Sequence, residues 1–172
     1  TLRTQSGSLA LDQGVLTSGA AITLESAGGI SQAAAAAARI VGDKARIVAA
    51  GGSARLDNSA NQITTLAAQA IDGDLSFVNS QALTLGQVNT GSVSGASAGA
   101  TAGSAGRGVT VQTLAGDITV NKAVTAADVA TLASAGGISQ SGAADSTVTA
   151  HALRVQAAGD AILDNPANSV GT

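Results

Sequence analysis

The sequence predicts an all-β protein whose short parallel strands coil into a stacked β-helix, and three observations predict it. The first is a long internal repeat. Thr23-Leu24-Glu25-Ser26-Ala27-Gly28-Gly29-Ile30-Ser31-Gln32 returns as Thr131-Leu132-Ala133-Ser134-Ala135-Gly136-Gly137-Ile138-Ser139-Gln140, a shift of 108 residues with only one position changed. The second is a train of short apolar alternations bounded by glycine turns. The third is the near absence of aromatics, which make up 1% of the chain, Phe77 alone. An interior filled without them must be narrow and regular enough for Ala, Val, Ile and Leu.

The strands follow in order. Leu9-Ala10-Leu11, Ile22-Thr23-Leu24, Ala45-Arg46-Ile47, Ile63-Thr64, Leu75-Ser76-Phe77 and Leu83-Thr84-Leu85 occupy the first half. Val109-Thr110-Val111, Ile118-Thr119-Val120, Leu153-Arg154-Val155 and Ile162-Leu163 occupy the second. Gly7-Ser8, Gly28-Gly29, Gly51-Gly52, Asp72-Gly73-Asp74, Gly116-Asp117, Gly136-Gly137 and Gly159-Asp160 supply turn chemistry between them. Such turns would also suit hairpins of an antiparallel sandwich. The repeat favours coils of ~20 residues, each passing through about three strands. Its matched positions exchange one aliphatic for another: Leu2 with Val111, Leu9 with Ile118, Leu11 with Val120, Ile40 with Val148 and Ile63 with Val170. Ladders of similar aliphatics are what coils stacked at ~4.8 Å require.

The whole chain, 1–172, reads as one β-helical segment, with repeat copies at about 1–63 and 110–170 and intervening coils over 64–109. Two stretches break the rhythm. The polyalanine run 33–38 aligns with Ser141-Gly142-Ala143-Ala144-Asp145-Ser146, so both are expected to form a variable coil corner, a short helical turn being the lesser option. Residues 91–108 are rich in Gly, Ala and Ser and read as a flexible loop inserted between the copies. The chain opens on Thr1 rather than Met, and it reads as an internal or processed piece of something longer.

Composition narrows the function classes. Charged residues are 11% of the chain, against about 25% in ordinary domains. A net charge of −3 opposes nucleic-acid binding, which needs a basic stripe. No run approaches the ~20 apolar residues of a membrane helix, so no membrane insertion is expected. The absence of Cys excludes disulfides and cysteine-based zinc sites.

The Gly-Asp-strand units (Gly73-Asp74-Leu75-Ser76-Phe77, Gly116-Asp117-Ile118-Thr119-Val120), the Ser-Ala-Gly-Gly-Ile-Ser-Gln segments and the Leu-Asp-Asn-x-Ala-Asn-x-Ile/Val endings carry a resemblance. The chain resembles the repeat region of filamentous haemagglutinin-type exoproteins, the large adhesins of Gram-negative two-partner secretion. The resemblance covers essentially the whole chain outside 91–108. It implies a right-handed parallel β-helix (a β-solenoid), export through an outer-membrane transporter, and a secreted or cell-surface location. It also implies attachment to a host-cell or cell-surface receptor or glycan, or a role in biofilm. The family's amino-terminal secretion domain with its Asn-Pro-Asn-Gly-like motif is missing, and Asn165-Pro166-Ala167-Asn168 only echoes it. The family supplies no catalytic residue to carry over.

Read as chemistry, the remaining candidates favour structure. Asp72 and Asp74 would share a face of an extended strand and could serve acid–base work or calcium, but a solvated turn before Leu75 is the plainer reading. His151 is the lone histidine, matched by Asp43 in the repeat, and reads as a surface residue. Asn58 and Asn61 match Asn165 and Asn168, and amides at this spacing cap turns or stack in ladders. Arg46 and Arg154, flanked by inward aliphatics, should point outward as solvated, edge-protecting charges. No phosphate-binding loop is present in 91–108, because the Lys-Ser/Thr and the following helix are missing.

The leading expectation is therefore a structural and adhesive shaft with no catalytic residue, cofactor or metal. Any ligand contact falls on the inserted loop, at Gly91, Ser94, Thr101 and Arg107. A polysaccharide-active β-helix lyase or hydrolase is the alternative, and it would want clustered carboxylates and aromatic platforms. An ice-binding solenoid would want regular Thr-x-Thr rows, and the threonines are irregular along the sequence. Exposed solenoid ends would favour end-to-end association.

Overall fold

The structure, a computed structural model, describes residues 1–88, 100–102 and 107–171, the three residues 100–102 by their backbone alone. All strand pairings among them are parallel. Each coil turns through three faces. The first face runs through Leu2–Thr4, Ala21–Ser26, Ala100–Ala102, Val124–Ala126, Val148–Ala150 and Ser169–Val170. The second runs through Leu9–Leu11, Ile30–Gln32, Ala54–Leu56, Leu75–Asn79, Val109–Thr113, Val129–Ser134 and Ala152–Ala157, seven strands for seven coils. The third holds Val15–Leu16, Leu83–Leu85, Ile118–Val120, Ile138–Gln140 and Ala161–Ile162. The long strands Ile40–Ala49 and Gln62–Ala70 bend from the third face into the first of the next coil. Seven coils at about 4.8 Å make a shaft roughly 34 Å long.

Backbone groups at the turns join the coils as the strands do. Leu9 N donates to Gly29 O at 2.9 Å, Ile30 N to Ser53 O at 2.9 Å and Ala54 N to Asp74 O at 2.9 Å. Along the axis, that satisfies groups a globular fold would leave to loops.

The interior is a set of short apolar ladders running along the axis. On the second face Ile30, Ala54 and Leu75 follow one another, then Val109 and Ala130. Beside them Leu56 meets Phe77, which meets Val111 and then Leu132, all fully buried. In the first of these ladders Ala54 lies between Ile30 and Leu75, so a small residue leaves room for its larger neighbours in a thin core. Phe77 is the one aromatic placed there.

The repeat copies do not stack face on face. Leu24 lies on the first face and Leu132 on the second; Ile30 lies on the second and Ile138 on the third. Ile63, in a strand entering from the third face, corresponds to Val170 on the first. The 108-residue shift thus advances the chain by four coils and one face. The paired aliphatics do line one interior, but on neighbouring faces rather than in one ladder. The three faces are interchangeable because the repeating unit is a strand and its turn.

Two sequence expectations change. Residues 91–108 are not a loop throughout: Ala100–Ala102 is a strand, with Thr101 in register between Gln69 and Thr125. A three-residue Ala-Thr-Ala segment has too little apolar bulk to announce a strand. It becomes one because its register sets Ala100 between Ala68 and Val124, in a ladder already formed on both sides. The polyalanine run does form a helical turn, the 3-10 helix Ala36–Ala38, closed by Ala38 N on Ala35 O at 2.8 Å. Its repeat partner closes the same way, Ser146 N on Ala143 O at 3.0 Å, although the residues differ.

Candidate functional site

Polar side chains gather at corners between faces, and among the described residues two corner arrangements recur in both repeat copies. One is an amide clamp. Gln32 Nε2 donates to Asn61 Oδ1 at 2.6 Å and Asn61 Nδ2 returns a bond to Gln32 Oε1 at 3.1 Å. Gln140 and Asn168 do the same at 2.8 and 3.1 Å. Asn61 Oδ1 also accepts from Ile40 N, and Asn168 Oδ1 from Val148 N, each at 2.8 Å. Asn58 Oδ1 caps Ala60 N and Asn165 Oδ1 caps Ala167 N, each at 2.9 Å, as Asx turns. The same clamp holds the divergent corners: Gln32 Nε2 donates to Ala38 O and Gln140 Nε2 to Ser146 O. Asn58, Asn61, Asn165 and Asn168 all spend their side-chain amides on hydrogen bonds within these corners. Gln32 and Gln140 complete the clamps and were missed, although both end the repeated decapeptide.

The second corner type is a cleft of about 350 Å³. One cleft is walled by Arg3, Gln5, Glu25, Ala27, Arg46 and Ala50. Its duplicate, one face on and four coils along, is walled by Gln112, Leu114, Ala133, Ala135, Gln156 and Ala158. The floors match. Thr4 Oγ1 meets Ser26 Oγ at 3.1 Å, and Ser26 Oγ donates to Gly7 O at 3.1 Å. Thr113 Oγ1 donates to Ser134 Oγ at 3.1 Å, and Ser134 Oγ to Gly116 O at 2.9 Å. Gly7 and Gly116 turn with φ of 73° and 72°, a left-handed conformation that suits glycine.

The walls differ in charge. In the first cleft the Arg46 guanidinium hydrogen-bonds the Glu25 carboxylate, and Arg3 Nε approaches the other carboxylate oxygen at 3.5 Å. Arg46 is only 5% exposed, so the expectation of a solvated outward charge is corrected. The position does face away from the core, but its partner arrives from the coil before, 21 residues earlier. Arg154 is exposed, in the outermost strand of the second face, and Ala133 in the duplicate offers it no carboxylate. Glu25 is the one mismatch between the repeated decapeptides, and that mismatch was the available signal.

The other sequence candidates separate. Gly91 and Ser94 lie outside the described residues. Arg107 is exposed, and its carbonyl accepts Asp128 N at 3.0 Å. Asp72 sits exposed in the turn, while Asp74 Oδ1 accepts Gly108 N at 3.2 Å and Oδ2 approaches Arg55 at 3.6 Å. The pair is thus a turn that ties coils together. His151 is an exposed surface residue. Among the described residues no group of three or more His, Cys, Asp or Glu is placed to hold a metal, and no helix is long and apolar enough to cross a membrane. Comparison with protein-family models, curated proteins and solved structures gives no match.

Proposed function

We propose that this chain is a shaft segment of a large bacterial secreted or surface-attached adhesin of the filamentous haemagglutinin type. The observation that carries the reading is the unbroken second face, seven strands stacked in one register over a core cluster of aliphatic side chains and Phe77. Backbone bonds along the axis and packed ladders across it give a stiff rod that can hold a binding tip away from a cell. Export in extended form through an outer-membrane transporter suits a chain with no cysteine to cross-link it early. Its ligand would be a host-cell or cell-surface receptor or glycan.

The test is binding of the purified, β-folded chain to host cells and a glycan panel, beside a variant lacking 91–98 and an Arg107→Ala variant. The deletion stops short of Ala100–Ala102, because that strand belongs to the ladder. Saturable binding lost in either variant makes the inserted segment an adhesive site on the shaft. Binding by none of them makes this a spacer. Release of new reducing ends from a polysaccharide panel would overturn the reading in favour of a lyase or hydrolase.

A further inference from the structure

The two clefts are a natural comparison of one backbone corner with two sets of walls. The duplicate folds with Gln112 and Ala133 where the first cleft has Arg3 and Glu25. The corner therefore does not need the charges to form. Nor is a covered ion pair a strong source of stability, since desolvation offsets most of its attraction. The charges nevertheless form a chain. Arg46 is covered and holds Glu25, Glu25 is 11% exposed at its side chain, and Arg3 lies at the mouth with its side chain 62% exposed. Arg3 donates no hydrogen bond among the described residues, its contact with Glu25 being the Nε approach at 3.5 Å.

We propose that the Arg3–Glu25–Arg46 cleft is a binding site for a small ligand bearing one carboxylate, a function lacking in its duplicate, whose walls hold no charged side chain and no arginine at the place of Arg3. Two guanidiniums and one carboxylate leave a single positive charge, which a monocarboxylate neutralises. The outer nitrogens of Arg3 present the planar fork that matches a carboxylate in two parallel bonds. Glu25, itself fixed by Arg46, limits the swing of Arg3, so less freedom is lost on binding. A volume of about 350 Å³ fits one sugar ring or one terminal peptide residue and little more. The site stands independently of the adhesive reading, since a plain spacer could also carry it.

Amide NMR shifts, followed while the full chain is titrated, test this. The probes are glucuronate for an acidic sugar, N-acetylglycine for a peptide carboxylate, and glucose as the neutral control. The expected result is a saturable shift at Arg3, Gln5 and Glu25 with at least one acid, and none at Gln112, Leu114 and Ala133. The tighter acid identifies the source of the carboxylate. Arg3→Gln, which copies the neutral cleft at an exposed position, should weaken binding by about tenfold or more. Gln112→Arg with Ala133→Glu, beside the existing Arg154, should create a second responding cleft. No saturable response to either acid, an equal response in both clefts, an equal response to glucose, or unchanged binding by Arg3→Gln overturns the proposal.

Discussion

Asn61 and Asn168 make the same reciprocal amide pair, with Gln32 and Gln140, from two different corners of the solenoid. They differ in what lies above them. Asn61 Nδ2 also donates to Val78 O of the following coil at 3.1 Å, and Asn61 is fully buried, whereas Asn168 is half-buried. Asn61→Ala should therefore cost about 3–4 kcal/mol, because it orphans Ile40 N and several carbonyls in the interior. Asn168→Ala should cost about 1–2 kcal/mol, since water can replace part of what is lost. Urea midpoints at unchanged slope check both. Equal losses would show that the clamp acts locally and not through stacking.

The fold was legible because its signals are local. Period-two strands, glycine turns and a repeat are each visible within a few residues, and together they required coils. The face on which each residue falls was not legible. The repeat advances by four coils and one face, so matched residues such as Leu24 and Leu132 line different walls. The charged cleft was hidden for a related reason. Arg46, Glu25 and Arg3 come from three successive coils, and each looks like an isolated surface charge in the sequence. Gln32 carried no chemistry of its own until Asn61 was set beside it.

Glycines should differ sharply in their tolerance of a methyl group. A Cβ on Gly73 would lie 2.2 Å from Ser53 N and 2.4 Å from Gly52 C, which are backbone atoms of the coil below. Neither can yield without opening the stack. Gly142 has φ of +75° and nothing within 4 Å of its Cβ direction, so only conformational strain opposes a side chain. Gly73→Ala should cost about 3 kcal/mol or more and Gly142→Ala about 1 kcal/mol. Thermal or urea unfolding of the two variants gives the order, and a reversed order would refute the close coil contact at Gly73.

One substitution should stabilise the chain. Thr23 is 2% exposed and its Oγ1 has no hydrogen-bond partner among the described residues. It stands beside Arg46 in the ladder, on a strand position where a β-branched residue fits the pleat. Thr23→Val keeps the shape and removes the buried hydroxyl, so a gain of about 1 kcal/mol is expected. Thr131→Val, at the half-buried repeat equivalent, should change stability by no more than about 0.5 kcal/mol. A loss at position 23 would mean that water reaches the hydroxyl.

The final prediction concerns pH. Lys122 Nζ hydrogen-bonds the Asp145 carboxylate, and that bond, reinforced by the ammonium charge, holds Asp145 below the ordinary aspartate value of 3.8. The folded chain then binds fewer protons than the unfolded chain near that pH, so stability rises with pH there. The contribution is complete above the unfolded carboxylate value of about 3.9. It fades as pH falls through the lower folded value. Asp145→Asn should lower stability slightly at neutral pH, only slightly because the pair is at the surface, and should flatten the acid limb. The two curves should meet once both carboxylate forms are protonated, and raising the salt to about 1 M should bring them together at every pH. Urea midpoints measured from pH 6 downward test this. A difference that persists below the folded value, or that ignores salt, would show that Asp145 acts through the corner backbone and not through Lys122.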